Sequence, residues 1–190
     1  MVLASGSPRR RELMRLLFDD FTVRPASGEE IVPPGADPGD VSRLLAVQKC
    51  REVAALYPDD LVIGCDTTVI CGSEILGKPA DARDAARMLT MLSGSTHQVV
   101  SGVCIAFQGR EQSFSVSTDV TFRRLSKAEI DAYIATNEPM DKAGAYGIQE
   151  KGSLLVSRFE GDFFNVVGLP VERLALELDR LLGGENFDIR

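Results

Sequence analysis

Three consecutive arginines follow a helix-start signal near the N-terminus, in the segment Ser7-Pro8-Arg9-Arg10-Arg11. Ser7 is a favoured N-cap residue, and Pro8 is a favoured first residue of a helix. The first turn of a helix carries partial positive charge and usually holds acidic side chains, so arginines here break the local rule. Backbone N–H groups, the helix dipole and the guanidinium groups would together bind an anion, for which phosphate is the natural ligand. The alternative is a solvated arginine cluster.

A carboxylate interrupts an otherwise apolar strand at Asp66-Thr67-Thr68. A carboxylate buried in a strand is costly unless it is paired, hydrogen-bonded or bound to a metal. Asp66 could therefore coordinate Mg²⁺ or Mn²⁺, or act as a general base toward water. The alternative is an aspartate at a strand end that accepts hydrogen bonds from backbone N–H groups.

Four further positions carry weaker signals. Glu30, in a loop rich in Pro, Gly and acidic residues, could complete a carboxylate metal site, although an exposed acidic loop is the more frequent outcome. Lys49 lies on a predicted helix and Lys78 in a Gly-Lys-Pro turn, and single lysines are usually solvated. His97 follows a predicted helix C-terminus, where we expect a surface or capping role rather than catalysis.

The segment from Asp141 to Gln149 reads Asp-Lys-Ala-Gly-Ala-Tyr-Gly-Ile-Gln. Its small residues would permit close approach of the backbone to a ligand. Gln149 offers both a donor and an acceptor, the pattern needed to read the edge of a base. An ordinary structural loop would have the same Gly and Ala content, so the composition alone is a weak signal.

The elements that must position these residues are predicted from hydrophobic periodicity and capping signals. Asp81 and the capping box Ser126-Lys-Ala-Glu129 would begin helices, Gly94 and Gly183-Gly184 would end them, and Cys71-Gly-Ser-Glu74 would form a hairpin turn. Strands are predicted over 2–4, 61–70, 75–76, 99–107, 113–122 and 154–159, and helices over 8–17, 41–56, 82–92, 127–136 and 170–182. Helices and strands alternate early and antiparallel hairpins follow, which indicates an α/β fold with a mixed, twisted sheet. We expect one domain over residues 1–184 and a C-terminal tail over 185–190.

Composition narrows the function classes. The chain has 190 residues and a net charge of −7, so it is a poor general binder of nucleic-acid polymers, whose phosphates need a basic surface. No apolar run approaches the roughly 20 residues needed to span a bilayer, and the N-terminus lacks a secretory signal, so we expect a cytoplasmic protein. The four cysteines form no Cys-x-x-Cys pair and there is a single histidine, which makes a zinc site unexpected and favours reduced thiols packed as small hydrophobes.

Several motifs follow one another along nearly the whole chain. They are Leu-Ala-Ser-Gly-Ser-Pro-Arg-Arg (3–10), Asp-Thr in an apolar strand (66–67), Gly-Lys-Pro (77–79), Leu-Ser-Gly-Ser-Thr-His (92–97), the segment that ends at Gln149, and Gly-Asp-Phe-Phe-Asn-Val-Val-Gly-Leu-Pro (161–170). Together they resemble the Maf family of nucleoside triphosphate pyrophosphatases, and the resemblance runs from Leu3 to about Leu174.

The resemblance implies a Maf/Ham1-like fold, an elongated mixed sheet flanked by helices with a central cleft. It implies hydrolysis of a nucleoside triphosphate to the monophosphate and diphosphate with a divalent cation (Mg²⁺, Mn²⁺ or Co²⁺), and a homodimer. Asp66 matches the proton acceptor of the family, and with Glu30 it would hold the cation. By the same match, the positions that set substrate choice are Arg9, Thr67 and Gln149. The remaining polar positions of the cleft map onto Ser5, Ser7, Arg10, Glu30, Lys49 and Lys78.

The form of the Gln149 motif resembles the branch that acts on dTTP and UTP, and modified pyrimidine nucleotides are compatible with the same site. Three departures stand out: Phe163-Phe164 replaces paired tyrosines, Glu150 replaces a glycine, and Cys65 replaces an alanine. The first two could shift affinity or pyrimidine preference, and none removes a supposed catalytic group. Two alternatives stay open: a non-catalytic nucleotide-binding regulator of septum formation, and a housecleaning enzyme of the inosine triphosphate pyrophosphatase type.

Overall fold

Strands and helices alternate through the first half of the chain, in a computed structural model that describes residues 1–183. The strands are β1 Val2–Ala4, β2 Thr22–Val23, β3 Val62–Cys71, β4 Glu74–Leu76, β5 Thr96–Phe107, β6 Arg110–Phe122 and β7 Val156–Glu160. The helices are α1 Pro8–Met14, α2 Pro38–Ala54, α3 Ala82–Leu92, α4 Lys127–Ile134, α5 Phe163–Val167 and α6 Val171–Leu182.

The strands of residues 1–183 form one seven-stranded sheet in the order β2-β1-β3-β5-β6-β7, with β4 paired to β3. β1 pairs in parallel with both β2 and β3. β4 runs antiparallel to β3, and β7 antiparallel to β6. The sheet is therefore mixed, and the predicted α/β class with a mixed sheet flanked by helices is confirmed.

Side-chain caps explain where several helices begin. Ser7, Asp37, Asp81 and Ser126 each accept a hydrogen bond from a backbone N–H of the first helical turn. The Glu129 carboxylate in turn accepts from the Ser126 backbone N–H, and its hydrogen bonds with Ser126 lower the pKa of Glu129 to about 2. The predicted capping box is thus confirmed. Local hydrogen bonds of this kind can be predicted from sequence because both partners lie within one turn.

Several local features differ from the sequence-based predictions or were not among them. The first helix ends at Met14 rather than at residue 17, and Leu16, expected on its apolar face, is 57% exposed. The strand β2 was not predicted, because two residues carry no periodicity and their parallel partner β1 is distant in sequence. The segment predicted as a loop over 137–152 contains short 3₁₀ helices at Glu138–Asp141, Ala143–Ala145 and Lys151–Leu155.

The chain divides into two compact units, each with its own apolar core. The first unit comprises Met1–Asp66, Ser101–Val116 and the segment that starts at Gly168, and the second comprises Thr67–Val100 and Ser117–Val167. The single domain expected over residues 1–184 and the central cleft stay predictions, and residues 184–190 lie outside the described residues.

Helix α2 packs very closely against the strands of the first unit. A Cβ atom at Gly64 would lie 2.5 Å from the Ala46 carbonyl oxygen and 2.8 Å from the backbone nitrogen of Cys50. At Gly102 it would lie 2.2 Å from the backbone nitrogen of Arg43. Only glycine fits at these two positions, so the sequence of β3 and β5 fixes how near α2 lies to them.

The four cysteines are free, and Cys50, Cys65 and Cys104 are buried, which confirms the prediction of thiols packed as small apolar side chains. Among the helices of residues 1–183, none is both long enough and apolar enough to cross a membrane.

Candidate active site

Two carboxylates and one ammonium group converge in the first unit. Lys49 Nζ lies 2.5 Å from Asp66 Oδ1 and 2.7 Å from Glu30 Oε1. Lys49 comes from α2, Asp66 from β3, and Glu30 from the long loop before α2. The side chains of Lys49 and Asp66 are 18% and 14% exposed, whereas that of Glu30 is 55% exposed. Three residues far apart in sequence thus form a charged cluster that is open to solvent on the Glu30 side.

Lys49 remains a cation in this cluster. Burial lowers the pKa of Lys49, but the charges and hydrogen bonds of Asp66 and Glu30 outweigh it and hold the pKa above the usual lysine value. The expectation of an ordinary solvated lysine was therefore wrong. Its positive charge offsets the repulsion between the two carboxylates, which would otherwise push them apart.

The loop that carries Glu30 is held by side chains of α2. Gln48 accepts from the Ile31 backbone N–H at 3.0 Å and donates to the Ile31 carbonyl oxygen at 2.5 Å. Glu52 accepts from the backbone N–H groups of Ser27 and Gly28, and these bonds lower the pKa of Glu52. Sequence reasoning missed both residues. Their only signal was their spacing, because positions 48, 49 and 52 lie on one face of a helix.

The anion site at the start of α1 stays a prediction. Ser7 caps the helix and its hydroxyl accepts from the Arg10 backbone N–H, so these two groups satisfy each other. The buried Ser5 hydroxyl accepts from Arg10 Nη1 at 3.2 Å and from the Ser7 backbone N–H at 3.3 Å. Arg9 is half-buried on the same turn.

Arg10 reaches across the first unit to main-chain oxygens. Its Nε donates to the Gly168 carbonyl oxygen and its Nη1 to the Cys65 carbonyl oxygen, each at 2.8 Å. The Cys65 thiol also contacts the Gly168 carbonyl oxygen, at 3.2 Å. The Cys65 carbonyl belongs to the peptide bond that leads into Asp66. Arg10 therefore braces the backbone next to the candidate base, and two of its nitrogens already bind protein oxygens.

The residues present fit a hard divalent cation. Within residues 1–183, no three His, Cys, Asp or Glu side chains form a metal-binding group. The Asp66 and Glu30 carboxylates nevertheless both contact Lys49 Nζ, so they lie near each other. Mg²⁺ and related ions favour oxygen ligands and commonly bind through one or two carboxylates, with water and substrate phosphates completing the shell. Two adjacent carboxylates match that mode of binding.

Three predicted site residues belong to the second unit. Thr67 is half-buried, and Lys78 and Gln149 are exposed. The Gly144 backbone N–H donates to the Gly77 carbonyl oxygen at 3.0 Å. The turn that carries Lys78 and the loop that carries Gln149 are thus joined by a backbone hydrogen bond.

The expected surface or capping role of His97 was wrong. The residue is 2% exposed, and its Nε2 lies 2.8 Å from the Tyr146 hydroxyl. Its ring packs edge-on against Phe122 and Tyr146. Burial lowers the pKa of His97 to about 4, although the charge of Asp119 opposes the shift. The imidazole is therefore neutral at physiological pH.

The family model described as Maf-like protein matches residues 1–181. A dTTP/UTP pyrophosphatase of Bacillus cytotoxicus is 46% identical over 185 residues, which cover 97% of each chain. One of Bacillus cereus is 47% identical over 189 residues, covering 100% of this chain and 97% of the relative.

Two solved Ham1 proteins show a similar fold at 15% identity. The one from Coxiella burnetii has a TM-score of 0.56 and covers 94% of this chain and 98% of that one. The one from Staphylococcus aureus has a TM-score of 0.53 and covers 97% and 98%.

Proposed function

This chain belongs to the Maf-like protein family, and we propose that it hydrolyses dTTP and UTP to the nucleoside monophosphate and diphosphate. The observation that carries the proposal is the cluster of Asp66, Lys49 and Glu30 in a chain that matches its relatives over the full length. The Asp66 carboxylate lies beside the Lys49 ammonium group, with the Glu30 carboxylate next to it, and this arrangement suits attack of water on a phosphate.

Asp66 orients the attacking water and takes its proton. Lys49 holds the Asp66 carboxylate through one oxygen, so the base keeps a fixed direction before substrate arrives. Arg9, Lys49 and Lys78 supply positive charge for the triphosphate and for the departing diphosphate. Arg10 donates to the Cys65 carbonyl oxygen next to Asp66, and the Ser5 hydroxyl accepts from Arg10 and from the Ser7 backbone N–H, so both residues act by positioning the backbone.

A divalent cation, Mg²⁺, Mn²⁺ or Co²⁺, belongs to the proposal, with Asp66 and Glu30 as its protein ligands. When bound, such an ion neutralises phosphate charge and makes a bound water more acidic. The resemblance also supports a homodimer, and a cytoplasmic location stays an expectation.

Base recognition is assigned to the second unit. Gln149 has an exposed side-chain amide that can both donate to and accept from a pyrimidine edge. Pyrimidines differ from purines in the donors and acceptors of that edge, so an amide at a fixed position can distinguish them. Arg9 and Thr67 are the further positions that the resemblance links to substrate choice.

The test is product analysis by chromatography. The purified chain is incubated with dTTP, UTP, CTP, GTP, ITP and 7-methyl-GTP in the presence of Mg²⁺ or Mn²⁺. We expect monophosphate and diphosphate from dTTP and UTP, and a loss of at least about 10²-fold in turnover for Asp66→Asn, the scale of a lost general base. Asp59→Asn, which removes an exposed carboxylate in the turn before β3, is the matched control.

Two results would contradict the proposal. Near-wild-type turnover in Asp66→Asn would refute the role of the base. If the folded wild-type protein with metal consumed no nucleotide, the binding regulator would replace the enzyme. For recognition of the nucleobase, Gln149→Ala should change the ranking of substrates. An unchanged ranking would exclude Gln149 from that recognition.

A further inference from the structure

A polar pair lies inside the apolar core of the second unit. Tyr146 is 5% exposed and His97 2%, and the hydroxyl of one meets Nε2 of the other at 2.8 Å. In the described part of the chain, the other ring nitrogen of His97 is buried without a hydrogen-bond partner. Buried polar atoms are costly, and an apolar pair of similar size would fill the same core without that penalty. Burial of apolar surface therefore does not account for the pair, and its hydrogen bond needs another explanation.

The backbone next to Tyr146 adopts an unusual conformation. Gly144 and Ala145 both have positive φ, +68° and +59°. Left-handed geometry is uncommon for a residue with a side chain, and it persists only where the surroundings hold it. At Gly144 the space is also restricted, since a Cβ atom there would lie 3.0 Å from both methyl carbons of Val69. This segment needs external restraint to keep its shape.

Three hydrogen bonds to groups outside the loop add to one within it, from the Ala145 backbone N–H to the Lys142 carbonyl oxygen. The Gly144 backbone N–H donates to the Gly77 carbonyl oxygen, and the Gly147 backbone N–H donates to the Tyr133 hydroxyl at 3.2 Å. The third bond is that between Tyr146 and His97. It is the one among the three that uses a side chain of the loop itself, and it fixes the loop between the two backbone contacts.

The restrained segment governs two candidate binding residues. Gln149 lies three residues after Tyr146, and Lys78 directly follows Gly77. The loop residues 144–148 are mostly buried, whereas Gln149 and Lys78 are exposed. Because the loop residues before Gln149 are buried and held in place, the exposed Gln149 amide can be placed at a defined position toward a ligand.

We propose that His97 and Tyr146 are positioning residues for substrate specificity, because their hydrogen bond fixes the loop that presents Gln149. The inference rests on the proposed function for its kinetic consequence. Neither residue touches the nucleotide in this scheme. They act through the direction and the mobility of the Gln149 side chain.

The first test compares discrimination between bases. Tyr146→Phe removes the hydroxyl and keeps the ring. We expect the ratio of kcat/KM for UTP to kcat/KM for GTP to fall by about tenfold or more, because a small displacement of a recognition group is costly. His97→Gln, which can still hydrogen-bond to the tyrosine, should keep more of the ratio than His97→Leu. Ile130→Val, which removes one methyl group from the same core, is the control for lost stability.

The second test is hydrogen exchange of the backbone amides of residues 144–149, which needs no turnover. Exchange should accelerate in Tyr146→Phe and in His97→Leu, but not in Ile130→Val. If the wild type hydrolyses no nucleotide, the proposed function and the specificity role fail together, and the exchange data still report whether the pair restrains the loop.

Two results in an active enzyme would overturn the inference. The first is an unchanged UTP-to-GTP ratio in Tyr146→Phe and His97→Leu, even with faster exchange, because the pair would then be structural only. The second is a ratio that falls equally in Ile130→Val, since that would trace the change to stability and not to the hydrogen bond.

Discussion

The buried imidazole of His97 makes the stability of the protein depend on pH between about 4 and 6.5. Burial lowers the pKa of His97 to about 4 in the folded state, against an ordinary value of 6.5. Tyr146 contacts the ring directly, and the charge of Asp119 opposes the shift without cancelling it. As the pH falls below 6.5, the unfolded chain therefore binds a proton that the folded chain excludes. Stability that is complete above pH 6.5 is lost as the pH falls toward 4.

The size of the loss follows from these two pKa values. At pH 5 the unfolded imidazole is almost fully protonated, whereas the folded one is about one-tenth protonated. One unit of pKa difference corresponds to about 1.4 kcal/mol, so the free energy of unfolding should fall by about 2 kcal/mol between pH 7.5 and pH 5 because of His97. The carboxylates contribute their own pH dependence, so the wild type alone cannot isolate this amount.

Urea unfolding of wild type and His97→Gln at pH 7.5 and pH 5 isolates the contribution of His97 to the free energy of unfolding. The variant keeps a polar group that can face Tyr146 but has nothing to titrate, and the carboxylates are the same in both proteins. We expect the wild type to lose about 2 kcal/mol more than the variant between pH 7.5 and pH 5. If the two proteins lose the same free energy, the imidazole is not held neutral by burial, and the reasoning fails.

Two further predictions concern the first unit. Gly64→Ala should lower the free energy of unfolding by about 1–3 kcal/mol in urea titrations, because the new methyl group would lie 2.5 Å from the Ala46 carbonyl oxygen. An unchanged midpoint of the urea transition would show that α2 moves away without cost. Arg10→Lys should lower kcat for dTTP by at least about tenfold and change KM less than threefold in steady-state kinetics, because Arg10 holds the Cys65 carbonyl beside Asp66. If KM rises and kcat is unchanged, Arg10 binds phosphate instead.

Sequence reasoning succeeded where the physical cause is local. The caps at Asp81 and Ser126, and the left-handed glycines at Gly94 and Gly183, lie within one turn of the helices that they begin or end. The hairpin from β3 to β4 was predicted for the same reason. Each depends on hydrogen bonds between residues a few positions apart, so the sequence pattern contains both partners.

The site could be predicted only in part, because its contacts join distant residues. Asp66 was identified as an anomaly in an apolar strand, but nothing local shows that Lys49, seventeen positions earlier, lies against it. The contacts of Arg10 span 55 and 158 positions. His97 was misjudged because a histidine after a helix is usually exposed, and only the tertiary packing of Phe122 and Tyr146 buries it.

The geometry of the charged cluster depends on residues that have no charge. Gly64 lies two positions before Asp66 and lets α2 approach β3, so that Lys49 reaches the carboxylate. The same helix holds the Glu30 loop through Gln48, so a shift of α2 would move the ammonium and the second carboxylate together. Asp66 would stay with its strand. The distances between the general base and its partners therefore depend on how closely α2 packs against β3 at Gly64, and substitutions at Gly64 should affect turnover although glycine has no side chain.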